Sequence, residues 1–175
     1  MRFMKKIVSY TIAISLLMLF SNCTKQDREN TIINQEASID SYLSGLSTHE
    51  TVRNGGSNRA VIDLGREGTA VAAGDSLYIR YAGYIFSNGK GDLFVTNDST
   101  VAKSKNFPLQ ESPLGIKLGK TSLVKGLELG LHGVKEGEHC YIVFSAKYGF
   151  DNTTVGIVPK LSPLFYEVWV DKVIK

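Results

Sequence analysis

The sequence predicts an α+β domain in which an antiparallel β-sheet wraps around one short α-helix. Two observations carry that prediction. Leu123–Val173 runs through a glycine-punctuated helical stretch, an alternating strand, an apolar loop and a second alternating strand. Upstream, Ser76–Phe86 alternates in the same way and ends in the turn-forming run Ser87-Asn88-Gly89-Lys90-Gly91.

Taken in order, residues 1–22 read as a signal peptide. Arg2, Lys5 and Lys6 precede the low-charge stretch IVSYTIAISLLMLF, which has the basic and apolar parts of a secretory signal. It is short for a membrane span. Leu19-Phe20-Ser21-Asn22-Cys23 then resembles the bacterial lipoprotein signal, in which the cysteine is lipidated. The other reading is an ordinary signal peptide with a chance cysteine. Lipidation at Cys23 implies an exported protein of the cell envelope, periplasmic or outer-membrane, held to the membrane through an N-terminal lipid. Removing 1–22 takes three of the 20 basic and none of the 17 acidic residues, so the mature chain is neutral. A nucleic-acid partner would require a basic face, and none is expected.

Residues 23–58 read as a polar tether, flexible at both ends. Inside it, Ile39, Tyr42, Leu43 and Leu46 fall at helical spacing, which predicts a short helix that either packs on the domain or pairs with a second copy. The folded domain is expected over 59–175. Ala60–Leu64 reads as a strand, and Ser76–Phe86 places Leu77, Ile79, Tyr81, Gly83 and Ile85 on one face. Ile116–Leu118 adds a short strand, and the helix over Val124–Leu131 should end at Gly133, where a left-handed residue costs least. In His139–Ser145, Cys140, Ile142 and Phe144 form the apolar face, which makes Cys140 a buried small hydrophobe. Leu164, Tyr166, Val168 and Val170 form the same kind of face on the last strand.

The motifs Leu123-Val124-Lys125-Gly126-Leu127, Glu136-Gly137, Tyr148-Gly149 and Gly156-Ile157-Val158-Pro159 occur in one order. Upstream stand Glu67-Gly68-Thr69, Gly74-Asp75 and Arg80-Tyr81-Ala82-Gly83. Together they resemble the FKBP family of peptidyl-prolyl cis/trans isomerases over roughly residues 60–175. The resemblance implies an FKBP-like fold, proline-containing polypeptides as partners and no cofactor. It assigns Tyr81, Phe94, Tyr148 and Tyr166 as catalytic, with the Tyr148 hydroxyl at the rim bonding a substrate carbonyl. Leu123, Val124, Leu127, Ile157 and Val158 are assigned to substrate binding, Leu127 as the floor and Leu123 and Val158 as flanking residues. From the residues alone, most of these aromatic and branched side chains are equally core.

Three positions depart from the family pattern. Leu127 replaces the usual floor tryptophan, Val95 stands where a carboxylate normally follows Phe94, and Leu114 replaces a common phenylalanine. Asn97 or Asp98 is left to supply the missing polar group. The connection Val95–Ser112 is about ten residues longer than usual and either enlarges the rim or is a surface excursion. His49, His132 and His139 have no second ligand at metal-site spacing, so no metal is expected. The functional expectation is an isomerase assisting the folding of exported proteins. The alternative is a non-catalytic binding module on the same fold.

Overall fold

The computed structural model describes residues 25–175, so the expected signal segment and Cys23 lie outside the described residues. It opens in helix α1, residues 25–44. Seven antiparallel strands follow: β1 Glu50–Asn54, β2 Ser57–Asp63, β3 Ser76–Phe86, β4 Lys90–Thr96, β5 Leu114–Lys117, β6 His139–Phe144 and β7 Leu164–Ile174. Helix α2, Ser99–Lys105, lies between β4 and β5, and α3, Lys125–Leu131, between β5 and β6. The spatial order is β1-β2-β6-β7-β3-β4, with β5 pairing onto β3.

Period-two alternation sends the side chains of β3, β6 and β7 to two separate cores. Leu77 and Ile79 of β3, Ile142 and Phe144 of β6 and Val168 of β7 meet Leu127 and Leu131 of α3 in the main core. Helix and sheet approach closely because Gly126 and Gly130 face β6. A Cβ on Gly126 would stand 2.2 Å from the Phe144 ring, and one on Gly130 would stand 2.3 Å from Ile142 Cγ2. The helix ends at His132 and Gly133, and Gly133 takes φ 77°, the conformation expected of it. Cys140 is fully buried in this core, as its strand pattern predicts.

The opposite face of the sheet is covered as well. Ala82, Tyr84 and Phe86 of β3, Val143 of β6 and Phe165 of β7 pack against Ile39 and Leu43 of α1. Of the two alternatives for the helix expected within 23–58, packing on the domain is the one seen, in a helix longer than expected. Ile32, Ile39 and Leu43 are 6%, 1% and 5% exposed, which is enough to seat an otherwise polar helix on the sheet. The run Arg53-Asn54-Gly55-Gly56-Ser57-Asn58 is not a flexible end but the β1–β2 hairpin turn, with Gly55 and Gly56 at φ 58° and 96°. The sheet therefore begins at Glu50, upstream of the expected boundary at 59.

The long connection after β4 is also ordered. Asp98 caps α2 by accepting the Val101 N–H at 2.9 Å, and Asn106 ends the helix at φ 49°.

Candidate functional site

An apolar cup of about 600 Å³ opens beside α3. Its floor is Leu127, which α3 presents upward and which is 4% exposed. Tyr81 from β3, Phe94 and Val95 from β4 and Tyr166 from β7 form the inner wall. Leu123 and Val124 line it from the segment entering α3, and Ile157, 61% exposed, stands at the outer rim. The structure thus brings seven of the nine expected cup residues together. The aromatic wall is interlocked: Phe94 stands edge-on to Tyr166 with centroids 5.8 Å apart, and Tyr81 lies 6.2 Å from Tyr166.

Tyr148 and Val158 are not among the residues that line the cup. Tyr148 ends the 3₁₀ turn Ala146–Tyr148, and its ring lies over Gly56 of the β1–β2 turn, in a polar cleft shared with Glu36 and Asn54. Phe150, two residues on, takes the place on the cup wall and contacts Phe94 edge-on. The rim hydroxyl assigned to Tyr148 is therefore replaced by a hydrocarbon ring. Val158 is fully buried because it and Val155 exchange backbone hydrogen bonds of 2.9 and 3.0 Å across a tight turn. That turn leaves Ile157 outside and Val158 in the core.

Besides Phe150, the cup includes Phe107, Thr121, Ser122 and Val155, which sequence reasoning missed. Phe107 follows α2, so the long connection contributes a wall rather than a remote excursion. The signal for Phe150 was the pair of aromatics flanking Gly149. Which of the two enters the cup depends on the turn, and the turn is set by partners far away in sequence.

Among the described residues, no charged side chain lines the cup. Val95 lines it where a carboxylate was expected, and neither Asn97 nor Asp98 compensates. Asn97 is fully buried, accepting the Tyr81 N–H at 2.6 Å and donating to the Ile79 carbonyl at 3.1 Å. Asp98 pairs with Arg80 at 2.7 Å while it caps α2. Polar capacity instead comes from phenols and backbone. Burial raises the Tyr81 phenol above its ordinary value, and burial followed by the neighbouring Tyr81 raises Tyr166 further. Both remain neutral O–H donors, and neither hydroxyl has a hydrogen-bond partner among the described residues. The same holds for the N–H groups of Val124 and Ile157. Such a site can strip water from a peptide and satisfy its carbonyls at a few fixed points. Among the described residues, no cluster of three metal-ligating side chains occurs.

Comparison with known proteins adds to this geometry. The family described as FKBP-type peptidyl-prolyl cis-trans isomerase matches residues 67–171. FK506-binding protein 15 of Mus musculus is 38% identical over 110 residues, 61% of this chain but only 8% of that much longer protein. FK506-binding protein 1 of Aspergillus oryzae is 27% identical over 122 residues, 67% of this chain and 98% of its own length. Among solved structures, FkpA from Escherichia coli superposes with a TM-score of 0.56 at 20% identity, covering 91% of this chain and 70% of that one. The N-terminal domain of FKBP42 from Arabidopsis thaliana gives 0.58 at 18%, covering 74% and 96%. The structural likenesses establish the fold. The family match spans more than half of the sequence, and the chain belongs to the FKBP-type peptidyl-prolyl cis-trans isomerase family.

Proposed function

We propose that this chain catalyses cis/trans isomerisation of X-Pro bonds in exported polypeptides, from a lipid anchor at Cys23 in the cell envelope. The observation that carries the catalytic part is the uncharged aromatic cup with its unpaired donors. Rotation about an X-Pro amide must break its resonance, against a barrier of about 18–20 kcal/mol, without a nucleophile or metal. Water favours the planar amide, whose charge separation it solvates. Moving the bond into the cup removes that solvation, and Phe94, Tyr166 and Leu127 grip the proline ring on apolar surface. The N–H groups of Val124 and Ile157 and the phenols of Tyr81 and Tyr166 then hold flanking carbonyls while the bond twists.

The envelope location rests on the basic and apolar run before Cys23. Among the described residues, no helix is long and apolar enough to cross a membrane. Labelling with a radioactive fatty acid tests the anchor: incorporation by the wild type but not by Cys23→Ser supports it, and equal labelling or none removes it.

A second reading is a module that grips proline segments without turning them over. Phe150 at the position expected for a hydroxyl, together with Val95, favours it. Magnetisation-transfer NMR on a proline-containing tetrapeptide separates the two. Exchange accelerated by catalytic amounts of protein supports the isomerase, whereas shifted cup resonances without acceleration select the binding module.

A further inference from the structure

The cup's outer wall is a closed loop whose neck is gripped by a helix from the far side of the sheet. Residues 151–161 leave and return at one point, where the Leu161 N–H donates to the Asp151 carbonyl at 2.6 Å. Both neck residues have left-handed backbones, Asp151 at φ 49° and Leu161 at φ 57°. A branched apolar residue such as leucine disfavours that conformation and keeps it only when its surroundings impose it.

Helix α1 supplies those surroundings at both ends of the neck. Arg28 Nε donates to Asp151 Oδ1 at 2.9 Å, and a second guanidinium nitrogen stands 2.8 Å from the same oxygen. Two turns further along, the Gln35 amide donates to the Leu161 carbonyl at 2.6 Å and accepts the Ala146 N–H at 2.9 Å. Gln35 thereby ties the end of the loop to the start of the 3₁₀ turn that precedes Phe150. Glu36 adds a bond from Ser145 Oγ at 3.2 Å.

We propose that Arg28 and Gln35 are positioning residues of the site, which hold the loop neck so that Val155, Gly156 and Ile157 stand as the cup's outer wall. Neither touches the cup; each acts through the loop. The Arg28 and Asp151 side chains are 35% and 46% exposed, and an ion pair at that exposure adds little to global stability. Its effect is therefore read in loop motion and substrate affinity rather than in melting temperature. The catalytic consequence rests on the isomerase reading given above, whereas the mechanical one does not.

The test compares full-length wild type with Arg28→Ala, Gln35→Ala, Arg28→Asp with Asp151→Arg, and Leu43→Ala, which loosens α1 on the sheet away from the loop. Amide hydrogen exchange over 151–161, isomerase kinetics and urea unfolding are measured on each. Arg28→Ala and Gln35→Ala are expected to speed exchange of the loop at least tenfold and raise KM about fivefold, with kcat within twofold of wild type. The swapped pair restores both. Leu43→Ala lowers the urea midpoint and leaves loop exchange and KM unchanged. Wild-type loop exchange in Arg28→Ala and Gln35→Ala overturns the proposal, as does an equal response to Leu43→Ala. Should Gln35→Ala fail to fold, Gln35→Glu keeps the acceptor for Ala146, sets a carboxylate against the Leu161 carbonyl and is read by the same exchange. An inactive wild type removes the isomerase reading, while the exchange comparison still decides the clamp.

Discussion

The ring of Phe150 meets that of Phe94 edge-on, centroids 6.3 Å apart and planes at 74°, and this contact closes the cup on the side where a tyrosine hydroxyl was expected. Phe94 touches Tyr166 in the same manner, so it joins the loop wall to the sheet wall. Edge-to-face pairs add about 0.5–1.5 kcal/mol beyond the area they bury, and Phe94 makes two of them.

Phe150→Ala should therefore lower kcat/KM about tenfold, a transition-state loss of about 1.4 kcal/mol, by opening the wall to water. Tyr148→Phe should leave kcat/KM within about twofold, since it removes a hydroxyl outside the cup and keeps the ring over Gly56. Peptide-exchange kinetics on the two variants check both outcomes. A large loss from Tyr148→Phe would return the catalytic role to its hydroxyl.

The contact beneath Tyr148 is structural. Gly56 has φ 96°, and a Cβ there would stand 2.1 Å from the Tyr148 ring. Gly56→Ala combines backbone strain with a steric clash and should cost about 1–3 kcal/mol. Urea unfolding reads the loss directly. The double variant Gly56→Ala with Tyr148→Ala should recover part of it, because the clash is removed and the strain is not.

These two residues also mark how far the sequence could be read. The sheet faces of β3, β6 and β7 were legible because alternation is a local property, and seven cup residues followed from motifs on β3, β4, β7, α3 and its entry, and the loop before β7. Helix α1 was legible only at Ile39, Tyr42 and Leu43, and Leu46 of the same expected stripe lies just past its end. The rest is largely polar, and the partners that hold it, Ser145, Ala146, Asp151 and Leu161, lie more than a hundred residues away. Tyr148 and Phe150 exchanged roles for a similar reason, since the turn between them is held by Gln35 and Gly56. In the same way, Val158 went to the core and Ile157 to the rim through one hydrogen-bonded turn.

Cys140 offers a probe of the main core. Burial pushes its thiol well above the usual range, and the adjacent Glu138 carboxylate pushes it further. Only thiolate reacts with disulfide reagents, so labelling must wait for the strand to open. In a Cys23→Ser chain, Cys140 is the single cysteine, the sequence having two. Its labelling should be slower than that of a free thiol by about a thousandfold or more, in keeping with a stability of about 5 kcal/mol or above. Phe144→Ala, which opens the neighbouring core, should speed it. Labelling of the native chain at the free-thiol rate would show that β6 is not the closed core strand described.

The pH response follows from the same absence of charge that defines the cup. Among the described residues, no aspartate, glutamate, histidine or lysine lines it, and burial holds the phenols of Tyr81 and Tyr166 above their ordinary value. The isomerase kcat/KM should then be flat from about pH 5 to 9, within about twofold, because no lining group changes protonation state in that range. Stability behaves differently at the alkaline end. On the α1 side of the sheet, burial first, then the Glu167 and Asp98 carboxylates, pushes Tyr84 up to about 12 from 10. A group whose folded value lies above its unfolded one binds its proton more tightly when folded. Its contribution is complete below the unfolded value and is lost as pH climbs from there towards the folded one. Thermal unfolding should therefore be level up to about pH 8 and fall from there to about pH 12, first through the Cys140 thiol and then through the buried phenols, and Tyr84→Phe should remove part of the fall above about pH 10. A bell-shaped rate profile centred near neutrality would instead reveal a titrating group at the cup, and Tyr81→Phe and Tyr166→Phe would then test whether either phenol is its source.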